Sequence, residues 1–110
     1  MSDAVLSRLA VTIRERRTAG ADASYTRQLL DAGPKKCAKK LGEEAAETII
    51  AAVAEDDEAL KGEAADLIYH LLVLLESRHI EFGDVVARLE GRMGVSGLAE
   101  KAGRKPAAGS

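Results

Sequence analysis

The stretch that most limits the fold of this chain is DLIYHLLVLL, residues 66–75. A helix formed by it would be apolar on nearly every side, and such a helix must be covered over most of its circumference. A chain of 110 residues buries only a modest fraction of its own surface. We therefore predict that a second copy helps to cover it, in a homodimer or a higher even oligomer. The leucines expected at that interface are Leu71, Leu72, Leu74 or Leu75.

Helical periodicity extends over the rest of the sequence. Apolar residues recur three or four positions apart, and no stretch alternates as a half-buried strand does. Aromatic residues make up only 3% of the chain, so leucine, isoleucine, valine and alanine must build the core. Alanine and leucine favour helices. The sequence thus predicts an all-α, antiparallel helical bundle of five or fewer helices, completed by dimerisation.

Capping and breaking residues set the expected boundaries. Ser24 is a candidate N-cap for a short helix that Gly33-Pro34 ends, and Asp57 is a candidate N-cap for the most apolar helix. Ile49, Ile50 and Val53 mark the apolar face of the helix before it. The expected helices are residues 4–17, 25–32, 35–55, 58–78 and 83–93. Residues 1–102 should form one domain, with residues 103–110 as a flexible basic tail.

Charge and cysteine usage exclude several classes of protein. A net charge of -2 argues against a general nucleic-acid-binding protein. The uninterrupted apolar run at residues 71–75 is far too short to cross a membrane. Cys37 is the only cysteine, so no intramolecular disulfide can form, and the N-terminus has no signal-peptide pattern. We expect a cytoplasmic protein that binds neither nucleic acid nor membranes.

Two pairs of acidic residues stand on either side of a short break in the helical pattern. Glu44 and Glu47 are three positions apart, as are Glu63 and Asp66, so each pair shares one helix face. The connection at residues 56–57 is short, which makes the two helices antiparallel neighbours. The pairs lie about ten and about eight residues from that turn, so the hairpin should bring them level with each other.

Four converging carboxylates are unfavourable without a cation. Two of them about 5 Å apart repel by roughly 3 kcal/mol at an effective dielectric constant of about 20. An all-oxygen ligand set suits Mg²⁺, which usually binds together with substrate phosphates. The alternative is a solvated acidic face with ion pairs such as Lys39–Glu43 and Lys40–Glu44.

A di-iron site is disfavoured because it needs Glu-x-x-His motifs, and the only nearby histidine, His70, comes four residues after Asp66. His70 is either a hydrogen-bonded core residue or a partner that orients Asp66.

Four lysines precede the first acidic pair by one to two helical turns: Lys35, Lys36, Lys39 and Lys40. Cations beside a bound divalent ion favour phosphate binding, because both neutralise the same oxyanions. The alternative is an ordinary solvated start of a helix, although positive charge there opposes the helix dipole.

Longer motifs in the chain are similar to those of a known family. KKLGEEAAE followed by GEAADLIYHLLVLL resembles the all-α nucleoside-triphosphate pyrophosphohydrolases of the MazG-like type. Three further stretches, SYTRQLLDAG, KKCAKKLGEE and RMGVSGLAEKAGRK, resemble the phosphoribosyl-ATP pyrophosphohydrolase family, whose reaction is the second step of histidine biosynthesis. The resemblance covers nearly the whole chain.

This resemblance implies a substrate, a metal and a set of site residues. The reaction would be the Mg²⁺-dependent hydrolysis of phosphoribosyl-ATP to phosphoribosyl-AMP and pyrophosphate. The implied Mg²⁺ ligands are Glu44, Glu47, Glu63 and Asp66, and the implied substrate-binding residues are Lys36, Lys40 and Tyr25, with Thr26 in the same motif. Glu43 or Glu47, as a carboxylate not fully used by the metal, would orient the attacking water.

Two other functions remain open at the level of sequence. The first is a housecleaning pyrophosphatase of the same fold that acts on free nucleoside triphosphates. The second is a non-catalytic helical dimer or metal-binding module, which would turn over no triphosphate. The N-terminal and C-terminal motifs favour phosphoribosyl-ATP over free nucleoside triphosphates as the substrate.

Overall fold

The structure is a computed structural model that describes residues 2–18 and 24–94. Its helices are α1 (Ser2–Glu15), α2 (Tyr25–Ala32), α3 (Pro34–Ala54), α4 (Asp57–Ser77) and α5 (Phe82–Met93), with a 3₁₀ turn at Arg16–Thr18. The described residues contain no strand, so the predicted all-α fold of five helices is confirmed. No helix among them is long and apolar enough to cross a membrane.

Helix α2 begins and ends where the sequence predicts. The Oγ of Ser24 accepts a hydrogen bond of 3.1 Å from the amide of Arg27, which makes Ser24 the N-cap. Gly33 ends the helix at φ 96°, a backbone conformation that glycine adopts without a steric cost. Pro34 then opens α3, because its fixed φ suits the first helical position and its missing amide proton is not needed there.

Helices α3 and α4 form an antiparallel hairpin, as predicted, and they make the most extensive helix pair of the fold. The predicted cap at the turn is wrong by one residue. Asp56, not Asp57, is the N-cap of α4, and its Oδ1 accepts from the amide of Ala59 at 2.9 Å. The sequence does not distinguish two neighbouring aspartates as caps, because both have the same side chain. The backbone of the turn decides which one has the extended conformation that an N-cap requires.

The core lies where α1 and α2 pack against the α3–α4 hairpin. Its buried apolar residues are Ile13, Leu29, Leu30, Cys37, Ala51, Leu72 and Val73. Of the four leucines expected at an interface between copies, Leu72 is therefore covered by its own chain, whereas Leu71 is 38% exposed. The expected apolar face of α3 is open: Ile49, Ile50 and Val53 are 65%, 51% and 82% exposed.

A buried carboxylate fastens the end of α1 to α4. Glu76 is only 8% exposed and accepts from the Nε of Arg17 at 2.6 Å and from the Nε of Arg14 at 3.4 Å. A second nitrogen of Arg17 donates to the backbone carbonyl of Glu76. Because both charges of the pair are satisfied, this buried acid is a structural anchor between two helices.

The chain divides into two compact units, the first ending at Ile80 and the second beginning at Glu81. In the second unit, α5 begins at Phe82, and the side chain of its N-cap residue, Glu81, makes no capping hydrogen bond. The predicted tail, residues 103–110, lies outside the described residues, as does most of the C-terminal motif.

Candidate metal and substrate site

Three carboxylates converge between α3 and α4. Glu44 on α3 and Glu63 and Asp66 on α4 each offer one oxygen, and these oxygens all lie within 4.8 Å of one another. The pairing follows from the hairpin, because one turn of α3 faces one turn of α4 at this level. Three of the four predicted metal ligands are thus brought together.

Two oxygens of this group are buried without a hydrogen-bond partner in the described part of the chain: Oε1 of Glu44 and Oε1 of Glu63. A buried carboxylate oxygen that makes no hydrogen bond is costly, because it has lost water and gained nothing. Removal from solvent raises the pKa of Glu63, and the neighbouring carboxyls of Glu47, Glu44 and Asp66 raise it further. The oxygens fit a hard divalent cation such as Mg²⁺. Such a cation would bind the buried oxygens and would offset the repulsion among the carboxylates.

Glu47, the fourth predicted ligand, lies beside this group rather than within it. Its carboxyl is in hydrogen-bonding contact with that of Glu63 and raises the pKa of Glu63. Its oxygens do not belong to the group of three that lie within 4.8 Å. Its side chain is exposed, so Glu47 is available both to the site and to solvent.

Thr48 ties the two helices together at the level of the acids, a role that sequence reasoning missed. Its Oγ1 lies 2.8 Å from the carbonyl oxygen of Glu44 and 3.2 Å from that of Glu63. One hydroxyl proton can therefore bond either to its own helix or across to the opposite one. The sequence offers only a weak signal, a threonine in a helix interior next to an acid, where threonine is not a strong helix former.

A cavity of about 270 Å³ lies between α2 and the first turns of α3. All three predicted substrate-binding residues, Tyr25, Lys36 and Lys40, line it. The cavity is close to the acids, because Lys40, which lines it, lies one helical turn before Glu44 and pairs with Glu43 at 3.0 Å. It offers two cations, a phenol and the amide of Gln28 as polar groups, a set suited to a phosphorylated ligand.

Glu43 forms an ion pair instead of joining the acidic group. Its Oε1 lies 3.0 Å from the Nζ of Lys40, and this hydrogen bond lowers the pKa of Glu43 and raises that of Lys40. The pair joins residues three apart, one position earlier than the Lys40–Glu44 pair that spacing suggested. Glu43 is exposed, so the pair limits the movement of Lys40 without burying charge.

His70 is a hydrogen-bonded core residue, one of the two roles considered for it. It is 7% exposed, its Nδ1 lies 2.8 Å from the backbone oxygen of Asp66, and its Nε2 lies 3.1 Å from the hydroxyl of Tyr25. The next residue pair repeats the link, because the hydroxyls of Thr26 and Tyr69 are hydrogen-bonded. The histidine thus touches Asp66 through the main chain and reaches the cavity through Tyr25.

Comparison with known proteins gives a consistent match. The model of the family described as phosphoribosyl-ATP pyrophosphohydrolase matches residues 6–93. A phosphoribosyl-ATP pyrophosphatase of Cereibacter sphaeroides is 55% identical over 100 residues, which cover 91% of this chain and 97% of the relative. A relative in Bradyrhizobium diazoefficiens, phosphoribosyl-ATP pyrophosphatase 1, is 57% identical over 97 residues, covering 88% of this chain and 92% of the relative. A phosphoribosyl-ATP pyrophosphatase of Roseobacter denitrificans is 54% identical over 99 residues, or 90% of this chain and 94% of the relative.

Proposed function

The chain belongs to the phosphoribosyl-ATP pyrophosphohydrolase family and hydrolyses phosphoribosyl-ATP in histidine biosynthesis, and we propose that it does so with Mg²⁺ held by Glu44, Glu63 and Asp66. The products are phosphoribosyl-AMP and pyrophosphate. The observation that carries the metal proposal is the convergence of three carboxylates with two buried oxygens that lack a hydrogen-bond partner among the described residues.

Phosphoryl transfer needs neutralisation and positioning more than covalent help. Mg²⁺, when bound, would neutralise negative charge on the phosphate oxygens next to the phosphorus–oxygen bond that breaks. The contribution of the chain is to hold three ligand oxygens in place. Thr48 fixes the level of α3 against α4, so that Glu44 on one helix meets Glu63 on the other.

Of the two acids expected to orient the attacking water, we propose Glu47. Its carboxyl contacts that of Glu63, which places it at the edge of the group of three. Glu43 is held by Lys40, and the ion pair lowers its pKa and so weakens it as a base. A general base must lie within reach of the water near the reacting phosphorus, and Glu47 satisfies that condition better.

The triphosphate is proposed to enter the cavity lined by Lys36 and Lys40. The support is the position of these lysines beside the acids, since a phosphate chain bridging cavity and metal would be neutralised from both sides. Lys40 is already oriented by Glu43 at 3.0 Å. Hydrolysis by water fits this arrangement, since the residues described as lining the cavity include no serine, threonine or cysteine.

The decisive experiment measures pyrophosphate release from phosphoribosyl-ATP, ATP and dTTP, with Mg²⁺ and with EDTA. We expect turnover of phosphoribosyl-ATP that Mg²⁺ supports and EDTA abolishes, and little turnover of the free triphosphates. Glu63→Gln should lose activity, whereas Glu58→Gln, a change at an exposed acid of the same helix that pairs with Lys61, should keep it. Preferred turnover of ATP or dTTP would instead support a housecleaning pyrophosphatase.

We further propose that the chain works as a homodimer or a higher even oligomer. The support is the open apolar face of α3, formed by Ile49, Ile50 and Val53, together with the part-exposed Ile68 and Leu71 of α4. Exposed apolar side chains clustered on one helix face, as those of α3 are, are typical of interfaces between proteins. Glu47 is one helical turn from Ile50, so a partner covering this face would also come close to the site.

We propose the cytoplasm as the place of the reaction. Cys37 is a free thiol, buried at 1% exposure, and its Sγ lies 3.2 Å from the carbonyl oxygen of Leu29. Burial also raises the pKa of this thiol, which keeps it protonated and unreactive. A structural cysteine of this kind is compatible with a reducing compartment.

A further inference from the structure

Helix α2 is attached to α4 by two adjacent side-chain pairs next to the cavity. Tyr25 is bonded to His70, and Thr26 is bonded to Tyr69. The three rings pack together: the centroids of Tyr69 and His70 are 4.9 Å apart at 88°, and those of Tyr25 and His70 are 6.0 Å apart at 74°. Tyr25 alone among these rings lines the cavity, and it is 49% exposed.

The hydrogen-bond partners of His70 determine where its proton lies. A backbone carbonyl oxygen can only accept, so the Nδ1 that faces Asp66 at 2.8 Å carries the proton. In the neutral imidazole, Nε2 is then an acceptor. The hydroxyl of Tyr25, 3.1 Å away, must be the donor in that contact.

This arrangement leaves Tyr25 with no proton to give to the cavity. Its phenol oxygen keeps only lone pairs there, beside Lys36 and Lys40. Burial raises the pKa of Tyr25, so the phenol keeps its proton and can hold this bond. Phosphate oxygens, which only accept hydrogen bonds, would bind the two lysines. The phenol oxygen of Tyr25 would instead accept from a different group of the ligand.

We infer that His70 is a positioning residue: its Nε2 accepts the one hydrogen bond that the Tyr25 hydroxyl can donate, so that the phenol oxygen accepts a hydrogen bond from a hydroxyl or amine of the nucleoside part of the substrate. The inference rests on the proposed use of this cavity by phosphoribosyl-ATP. It assigns the phosphates and the nucleoside to different walls: lysines of α3 for the anions, and the tyrosine of α2 for the donors. His70 acts only through Tyr25 and does not touch the substrate.

A spectroscopic test addresses the proton assignment without any reaction. The chain has two histidines, so long-range ¹H–¹⁵N correlation spectra contain two ring systems, and His79→Asn assigns them. We expect the neutral ring of His70 to be protonated at Nδ1, with an Nε2 resonance that shifts in Tyr25→Phe and not in Lys61→Gln, a change on the far, exposed part of α4. A ring protonated at Nε2, or an Nε2 resonance that Tyr25→Phe does not move, would overturn the inference.

A kinetic cycle tests the functional part. Tyr25→Phe and His70→Leu should each lower kcat/KM for phosphoribosyl-ATP by about three- to tenfold, the scale of one hydrogen bond, mainly through KM. The double variant should be no less active than the more impaired single variant, because both changes remove the same interaction. His70→Gln, whose amide oxygen can accept from Tyr25, should lie closer to the wild type. Lys61→Gln, a change at an exposed residue of α4 that pairs with Glu58, is the control and should keep kcat/KM.

The outcomes separate this inference from the proposed function. A wild-type protein without turnover of phosphoribosyl-ATP would remove the proposed function, while the spectra would still decide the proton position. Multiplicative losses in the double variant would show that His70 acts independently of Tyr25. If His70→Leu fails to fold in thermal melting, Tyr25→Phe alone decides, and an unchanged KM in that variant contradicts the inference.

Discussion

Glu63 is the residue of the site whose negative charge is most disfavoured by its surroundings. Its pKa is raised above the ordinary value of 4.5 by removal from solvent and then by the carboxyls around it. A raised pKa means that the folded chain holds the proton of Glu63 more tightly than the unfolded chain. The stability that this tighter proton binding contributes is fully present at a pH below the ordinary pKa. It is lost as the pH rises through the raised pKa that Glu63 has in the folded chain.

The first prediction follows from that sign. Without metal, the melting temperature of the wild type relative to that of Glu63→Gln should fall as the pH rises above 4.5, since Glu63 loses its proton as the pH passes through its raised pKa. Glu63→Gln should flatten this part of the profile, and Glu58→Gln, on the exposed start of α4, should not. Mg²⁺ should restore the melting temperature of the wild type at neutral pH. A wild-type melting temperature that rises steadily relative to that of Glu63→Gln as the pH rises in EDTA would contradict the prediction.

Glu47 gives the second prediction. Glu47→Gln keeps the shape of the side chain and removes one negative charge next to Glu63. We expect slightly higher stability without metal, weaker Mg²⁺ binding, and turnover reduced at least about a hundredfold, the scale of losing one key electrostatic contact. Thermal melting in EDTA and pyrophosphate release at saturating Mg²⁺ measure these effects. Near-normal turnover would exclude Glu47 from the mechanism, and unfolding would indicate a structural role.

At the scale of the helices, the sequence predicts those features that depend on nearby residues. Residues 25–32 form a helix capped by Ser24 because the cap and the glycine stop are local. The level of Glu44 against Glu63 also follows, since it needs only two helices and a short turn. The hydrogen bond of Tyr25 to His70 joins residues 45 apart, and it depends on how α2 docks on α4, which no local pattern encodes.

The third prediction concerns the α3–α4 pair. Thr48→Val keeps the volume and branching of the side chain but removes the hydroxyl between the carbonyls of Glu44 and Glu63. We expect a loss of about 1 kcal/mol in the free energy of unfolding. Mg²⁺ affinity should fall as well, because the ligands of the two helices are held less firmly. Urea unfolding and metal titration measure the two effects, and Thr48→Ser, which keeps the hydroxyl, is the control. Wild-type Mg²⁺ affinity in Thr48→Val would show that the bond does not position the site.

At the scale of the whole molecule, the apolar residues divide into those the chain covers and those it leaves open. Leu72 and Val73 of α4 are 3% and 0% exposed, so the most apolar helix is partly satisfied by its own chain. The expectation of a partner then rests on α3, where Ile49 and Val53 lie one turn apart at 65% and 82% exposure. Periodicity alone could not make this distinction, since it identifies an apolar face but not the neighbour that covers it.

The last prediction tests assembly. In sedimentation at micromolar concentration the wild type should be a dimer or a higher even oligomer, because burying the open face of α3 gains about 25 cal/mol per Å² of apolar surface. Ile49→Glu combined with Val53→Glu should shift the chain towards monomer, since charges would be buried unpaired in the interface. Helical content should be unchanged, because both side chains are exposed in the single chain. Val11→Glu, on the 53% exposed face of α1, is the matched control and should leave the assembly intact. A wild-type monomer at this concentration would decide against the oligomer, and the site would then have to function within one chain.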